Sequence, residues 1–299
     1  MSKVLPAVPV ASSVRGIACM VAGMALLTLN NAVTKGLTVG YPPGQIVVLR
    51  AAFVFLPIAF LVWRDGGLSV LRINNLAGQS VRAGFLVVST FLMIMALRLL
   101  PLADVMAITF AGPLVITALA GPMLGEKVGW RRWGAVFVGF LGILIMLKPD
   151  PAVFQLAALL PLCVAVSSSL RDLVTRRISA GESSTAILCF STGAVLLSGL
   201  FTLPFAAVPI AHADLPFFAI AGCLQGAAHY ILIEAFRHGE AAVVAPFKYS
   251  ALLWATVFGA LMFGDFPDAW IWVGSIPVIA SGLYILRRES LARRRTRNG

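Results

Sequence analysis

The residues of this sequence that can do chemistry sit inside long apolar runs. Lys248 comes two positions after Pro246, and His229 and Glu234 stand in the run before it. Ser167, Ser168, Ser169, Arg171 and Asp172 form a polar knot further back, and Asn30, Asn31 and Arg50 occupy the first two runs. An ionisable group in hydrocarbon is costly unless it faces a cavity or a partner, so each is a candidate site residue. Lys248 is expected to face a central cavity, with Glu234 or a substrate carboxylate as its partner. The structural alternative is a Lys248 to Glu234 pair that only holds two helices together. Arg50, with Asn30 and Asn31 at similar depth, is expected either to bind a carboxylate through its bidentate fork or to lock the first two helices together. Glu234, Arg171 and Asp172 are candidate coupling or ion-pair groups, and His229 is a candidate binding group. Phe110, Tyr230, Phe247, Tyr249 and Trp254 can wall a cavity for an apolar ligand, although ordinary packing accounts for any one of them.

The elements that position these groups are membrane helices. Of 299 residues, 60% are hydrophobic and only 12% charged, with a mean hydropathy of +0.94. A bilayer core about 30 Å thick takes roughly 20 apolar residues per helix. The chain divides into ten such spans: 14–37, 43–63, 83–100, 102–124, 133–147, 153–174, 185–203, 216–236, 241–263 and 269–286. Backbone in lipid must satisfy its own hydrogen bonds, and the period-2 alternation of a barrel is absent, so the expected fold is all-α and integral to the membrane. The first run is read as a retained helix rather than a cleaved signal.

The spans are organised by a duplication. Ala96, Arg98, Thr117, Met123, Gly125, Glu126 and Trp133 recur as Ala235, Arg237, Thr256, Met262, Gly264, Asp265 and Trp272, and Gly134 and Gly142 recur as Gly274 and Gly282. The offset is 139 residues up to the tryptophans and 140 after them. In this register Thr109 is the counterpart of Lys248. Residues 14–147 and 153–286 are therefore expected to form two five-helix repeats, followed by a basic cytoplasmic tail, 287–299.

The net charge of +11 reflects orientation rather than a nucleic-acid partner, because the basic residues collect at span ends and in the tail. With both termini cytoplasmic, seventeen Lys and Arg fall inside, Arg82 among them, and three, Lys35, Arg98 and Lys148, fall outside. Five spans per repeat invert the second half relative to the first. That plan lets a secondary transporter expose one midplane site alternately to each side. Pro113 and Pro246 are expected flex points for gating, since each removes a helix hydrogen bond.

Over nearly its whole length the chain resembles the EamA-type family of the drug/metabolite transporter superfamily. The likeness lies in Arg50, Gly112 and Pro113, then Leu124, Gly125 and Glu126, then Trp133, Gly134, Gly139 and Gly142. In the second half it lies in Ala245, Pro246, Phe247, Tyr249, Phe263, Gly264, Asp265, Pro267, Asp268, Gly274 and Gly282, with Asp265 where the family usually has Glu. The resemblance implies a small-molecule transporter of the inner membrane, in contact with lipid and either monomer or homodimer. Among its implied cargoes amino-acid export is favoured, possibly of aromatic ones, with S-adenosylmethionine uptake as the rival.

Motifs for other chemistry are missing. There is no phosphate-binding G-x-x-x-x-G-K-[ST] loop, so the transporter is expected to be secondary and not to hydrolyse ATP. Cys19, Cys163, Cys189 and Cys223 have no paired spacing and His212, His229 and His238 are scattered, so neither metal nor cofactor is expected. An intramembrane enzyme acting on lipid, with Asp172 and Glu234 as its carboxylates, is the minor alternative from another class.

Overall fold

The structure, a computed structural model, describes residues 10–124, 130–146, 156–239 and 244–264, and beyond these 269–270, 272–277, 279–281, 283–284 and 287. The motif residues Gly125, Glu126, Asp265, Pro267 and Asp268 lie outside the described set. The helices are α1 (Val10–Leu37), α2 (Pro43–Asp65), α3 (Leu76–Leu99), α4 (Leu102–Thr109), α5 (Ala111–Leu124), α6 (Trp130–Met146), α7 (Leu156–Ile178) and α8 (Ser184–Leu200). The short α9 (Leu203–Ala206), α10 (Leu215–His238), a 3-10 segment (Ala245–Tyr249) and α11 (Ser250–Phe263) follow. Among the described residues no strand occurs. Six helical stretches are long and apolar enough to cross a membrane: Val14–Leu37, Pro43–Asp65, Leu76–Leu99, Ala157–Ile178, Ser184–Phe205 and His212–His238. Shorter apolar helices run over Trp133–Gly142, Phe247–Phe263 and Trp272–Ser281.

Large apolar side chains such as Trp63, Phe201, Phe205 and Leu261 point outwards, which fits a surface solvated by lipid. Polar residues point inwards instead: Thr28, Asn30, Asn31 and Thr34 on α1, Gln79, Arg82, Ser89 and Thr90 on α3, and Ser169, Arg171, Asp172 and Thr175 on α7 are all buried. Buried polar side chains share the interior with apolar clusters while the outer surface is apolar, as a bilayer demands.

α10 is central, packing against both α1 and α2. Glycines allow the close approach. A Cβ on Gly222 would lie 2.4 Å from the Phe53 Cβ and 2.6 Å from the Arg50 carbonyl oxygen, and one on Gly226 would lie 2.5 Å from Pro57. A Cβ on Gly23 would meet Leu232 at 2.8 Å. Small residues let membrane helices gain dispersion contact that lipid cannot offer as well.

Two spans depart from their expected shape. The span 102–124 breaks at Phe110 into α4 and α5, and the 241–263 region carries the 3-10 segment before α11. The breaks share a register: α5 starts at Ala111 and α11 at Ser250, 139 residues apart, the same offset as the recurring residues Ala96 to Trp133 and Ala235 to Trp272. α3 begins at Leu76, seven residues before the expected Ala83, because Asn75 caps it by accepting from the Gly78 N–H at 2.9 Å. This extension takes Arg82 out of the loop assigned to it by the orientation count and buries it completely.

Opposite ends of the bundle are tied differently. At one end Tyr41 donates to Asp214 at 2.6 Å and Gln45 bonds the Val208 carbonyl at 2.7 Å, joining the α1–α2 turn to the segment before α10. The bond to Asp214 raises the Tyr41 phenol above the ordinary tyrosine range. At the other end Glu182 accepts from the backbone N–H groups of Asn74 at 2.8 Å and Asn75 at 2.5 Å, and Ser183 donates to the Val70 carbonyl.

Candidate functional site

The helix breaks and polar faces converge on one cavity in the middle of the bundle. Its empty space is about 780 Å³, counting its open mouth. α1 contributes Met24, Leu27 and Asn31; α2 contributes Arg50; α3 contributes Leu86, Ser89, Thr90 and Met93. Met106 and Thr109 come from α4 with Phe110 at the break, Val164, Ser168 and Arg171 from α7, Gln225, His229 and Leu232 from α10, Lys248 from the 3-10 segment and Ala251 from α11. Arg82 and Ser89 are seven apart on α3, and Gln225 and His229 four apart on α10, so each pair lies on one helical face.

Three cations reach this space. Arg171 grips Asp172 through Nε at 2.9 Å and Nη2 at 2.8 Å, and Lys248 donates to the other oxygen of the same carboxylate. Lys248 also lies 5.7 Å from the centre of the Phe236 ring, a cation–π contact. Arg50 is 4% exposed and donates to the Thr34 hydroxyl at 3.2 Å. Behind the wall the Arg82 guanidinium bonds the hydroxyls of Thr175, at 2.8 Å, and of Ser191. Asn31 donates its amide to the Met106 sulfur at 3.7 Å and accepts from Asn30 at 3.4 Å, which fixes its side chain on the cavity wall.

The expected site residues divide. Lys248, Asn31, Arg50, Thr109, His229 and Arg171 line the cavity. Asn30 lies behind the wall, donating to Gln225 at 2.7 Å and thereby orienting a side chain that does line it. Tyr249 packs edge-on against Phe110, with ring centres 5.3 Å apart, and lines instead a second pocket with Phe247, Trp272 and Ser275. The expected partner of Lys248 is corrected. Asp172, not Glu234, pairs with it, because Glu234 is taken by Ser184, by Arg237 at 3.4 Å and by His238 at 3.3 Å. The gating assignments to Pro113 and Pro246 concern side chains outside the described residues; Pro246 is the second residue of the 3-10 segment.

Sequence reasoning missed Arg82, Gln225, Ser89, Thr90 and the methionines Met24, Met93 and Met106. The helical spacing of the polar members was a usable signal. The methionines are indistinguishable from packing residues until the helices are assembled.

Among the described residues no group of His, Cys, Asp and Glu is arranged to hold a metal. The site is built to bind, orient and exchange hydrogen bonds.

Known proteins share this plan. The EamA-like transporter family pattern matches residues 14–148 and 155–287. A riboflavin transporter of Rhizobium johnstonii is 30% identical over 97% of this chain and 96% of its own length, and one of Vibrio cholerae is 27% identical over 93% and 95%. An S-adenosylmethionine uptake transporter of Rickettsia prowazekii is 26% identical over 64% of this chain and 66% of its own. A solved crystal structure with 20% identity covers 92% of this chain and 97% of that one, with a TM-score of 0.71, a likeness of fold. The named relatives and the family are membrane transporters of small molecules, not enzymes.

Proposed function

The chain belongs to the EamA-like transporter family, and from that premise we propose that it imports a flavin-like ring compound across the inner membrane by alternating access. One observation carries the proposal: the chain matches riboflavin transporters end to end and holds a mixed polar and thioether-lined cavity at its centre. Met24, Met93, Met106 and Phe110 offer polarizable surface to a flat ring. Asn31, Gln225, Ser89, Thr90 and Thr109 offer the alternating donors and acceptors that a flavin edge and its polyol chain require.

Charge argues against S-adenosylmethionine. Its sulfonium would enter a space faced by Arg50, Arg171 and Lys248, where Asp172 is already held by two of them. The amino-acid export implied by the resemblance gives way for a different reason: the relatives described above carry vitamins or nucleoside derivatives. We infer ten spans in two inverted repeats with both termini cytoplasmic. The matching starts of α5 and α11 and the excess of basic residues on one side support that topology.

Expression in a riboflavin auxotroph that lacks its own carrier tests the reading. Labelled riboflavin uptake should rise well above the vector control and resist excess S-adenosylmethionine or phenylalanine. Membrane-inserted protein with uptake no higher than the control would sink the flavin assignment.

A further inference from the structure

The cavity has more positive charge than its protein partners can neutralise. Three cations line it, Arg50, Arg171 and Lys248, and among the described residues Asp172 is the carboxylate bonded to two of them, Arg171 and Lys248. Two unit charges remain. Arg82, bonded to hydroxyls alone behind the wall, adds a third, and His229 supplies no negative charge in any protonation state. The other carboxylates at the α7–α8 end are engaged elsewhere: Glu234 with Arg237 and His238, Glu182 with backbone N–H groups. Arg50 is the most exposed to this imbalance in energetic terms. Its guanidinium is nearly all buried, faces the cavity, and uses one N–H on Thr34, leaving most of its donors open. Uncompensated buried charge is costly whenever the cavity closes to water, and a mobile anion sharing the space would offset that cost.

We propose that Arg50, Arg171 and Lys248 form an anion subsite within the cavity, filled during transport by a compact anionic group. The group is either a phosphate or carboxylate on the substrate itself or a small inorganic anion that enters beside a neutral one. The inference deepens the transport reading and rests on the cavity being the substrate site. It also gives Lys248 a role in turnover: an anion competes with Asp172 for the ammonium, and the exchange loosens the bond between α7 and the 3-10 segment.

The test uses purified full-length protein in nanodiscs, in sodium gluconate at fixed ionic strength. Chloride, inorganic phosphate, riboflavin and flavin mononucleotide are titrated while the unfolding midpoint and flavin fluorescence are read, since a ligand of the folded state raises its stability. Chloride or phosphate should stabilise the wild type saturably. Arg50→Gln and Lys248→Met, on different elements, should each weaken that binding about tenfold, the loss expected for one charge-assisted hydrogen bond. Riboflavin affinity that climbs with chloride identifies an accompanying inorganic anion. Flavin mononucleotide that binds more tightly than riboflavin, with chloride competing against it, identifies an anionic group on the substrate. The subsite is overturned if no anion stabilises the wild type saturably, or if both variants bind anions as the wild type does, which would put the binding on the basic tail. Flavin binding with no anion dependence refutes the subsite and leaves the flavin reading intact; anion binding without flavin uptake does the reverse.

Discussion

The α7–α8 turn and the central cavity both bury charge, yet only the turn matches it. At the turn, Glu182 accepts two backbone N–H groups, Glu234 meets Arg237 and His238, and Asp65 holds Arg64 at 2.7 Å and Thr185 at 3.0 Å. Each carboxylate has local donors from a neighbouring helix or loop, so the cluster fastens α2, α3, α8 and α10 at one end. In the cavity Asp172 serves two cations and Arg50 has a hydroxyl only. Each carboxylate of the turn has donors of its own, although Glu182 Oε2 is buried without one, whereas the three cations of the cavity have one carboxylate among them. The difference separates a fastening from a binding site more clearly than burial does, because residues of both are buried.

Asp172→Asn should break the comparison most severely. It removes the shared counter-ion and leaves Arg171 and Lys248 buried together, a loss of about 3–5 kcal/mol of stability by the general rule for breaking a buried pair. The expected result is a large fall in unfolding midpoint and in membrane yield, with tighter chloride binding in whatever protein survives. Asp172→Asn combined with Lys248→Met restores the original charge balance and should recover part of the midpoint. A single variant as stable as the wild type would mean that the ion pair is solvated rather than sequestered.

Glu182→Ala is the matching experiment at the turn. Two N–H groups lose their acceptor, which should lower stability by about 1–3 kcal/mol. Flavin and anion affinity at equilibrium should stay as in the wild type, because the site does not include this carboxylate. A changed dissociation constant without a changed midpoint would show that the turn is part of the site and would dissolve the distinction drawn above.

The same contrast explains what the sequence made legible. The orientation count places seventeen basic residues on one side and three on the other; of twenty-three Lys and Arg that leaves three, Arg50, Arg171 and Lys248, and these are the cations of the cavity. Charge that the expected topology leaves over is a candidate for function, and Arg82, counted with the loops but buried in α3, shows that this remainder can miss a cation. Arg82 escaped because it lies seven residues from the N-terminus of α3, where a loop charge and a buried one look alike until the cap at Asn75 is seen. The partner of Lys248 escaped for a geometric reason. Glu234 lies closer in sequence than Asp172, but its own helix brings Arg237 and His238 to it at i+3 and i+4, which periodicity could have foretold. The break at Phe110 had no sequence signal beyond Gly112 and Pro113 just after it.

Gly222→Ala sharpens the comparison with the smallest chemical change. The added methyl meets the Phe53 Cβ and the Arg50 carbonyl at distances that real Cβ atoms do not tolerate, and both obstacles belong to the same stretch of α2, so α10 must move away from it. Overpacking of this kind typically costs about 1–3 kcal/mol. The displacement falls between Arg50 on α2 and Gln225 and His229 on α10, one turn or two further along. Ligand affinity and transport rate should therefore fall while the turn cluster, more than two helical turns away at Glu234, keeps its bonds. Hydrogen exchange of the Asn74 and Asn75 amides reads the turn directly, and flavin quenching reads the cavity. Loss in both at once would mean that α10 transmits strain along its whole length and that the fastening and the binding site act as a single unit.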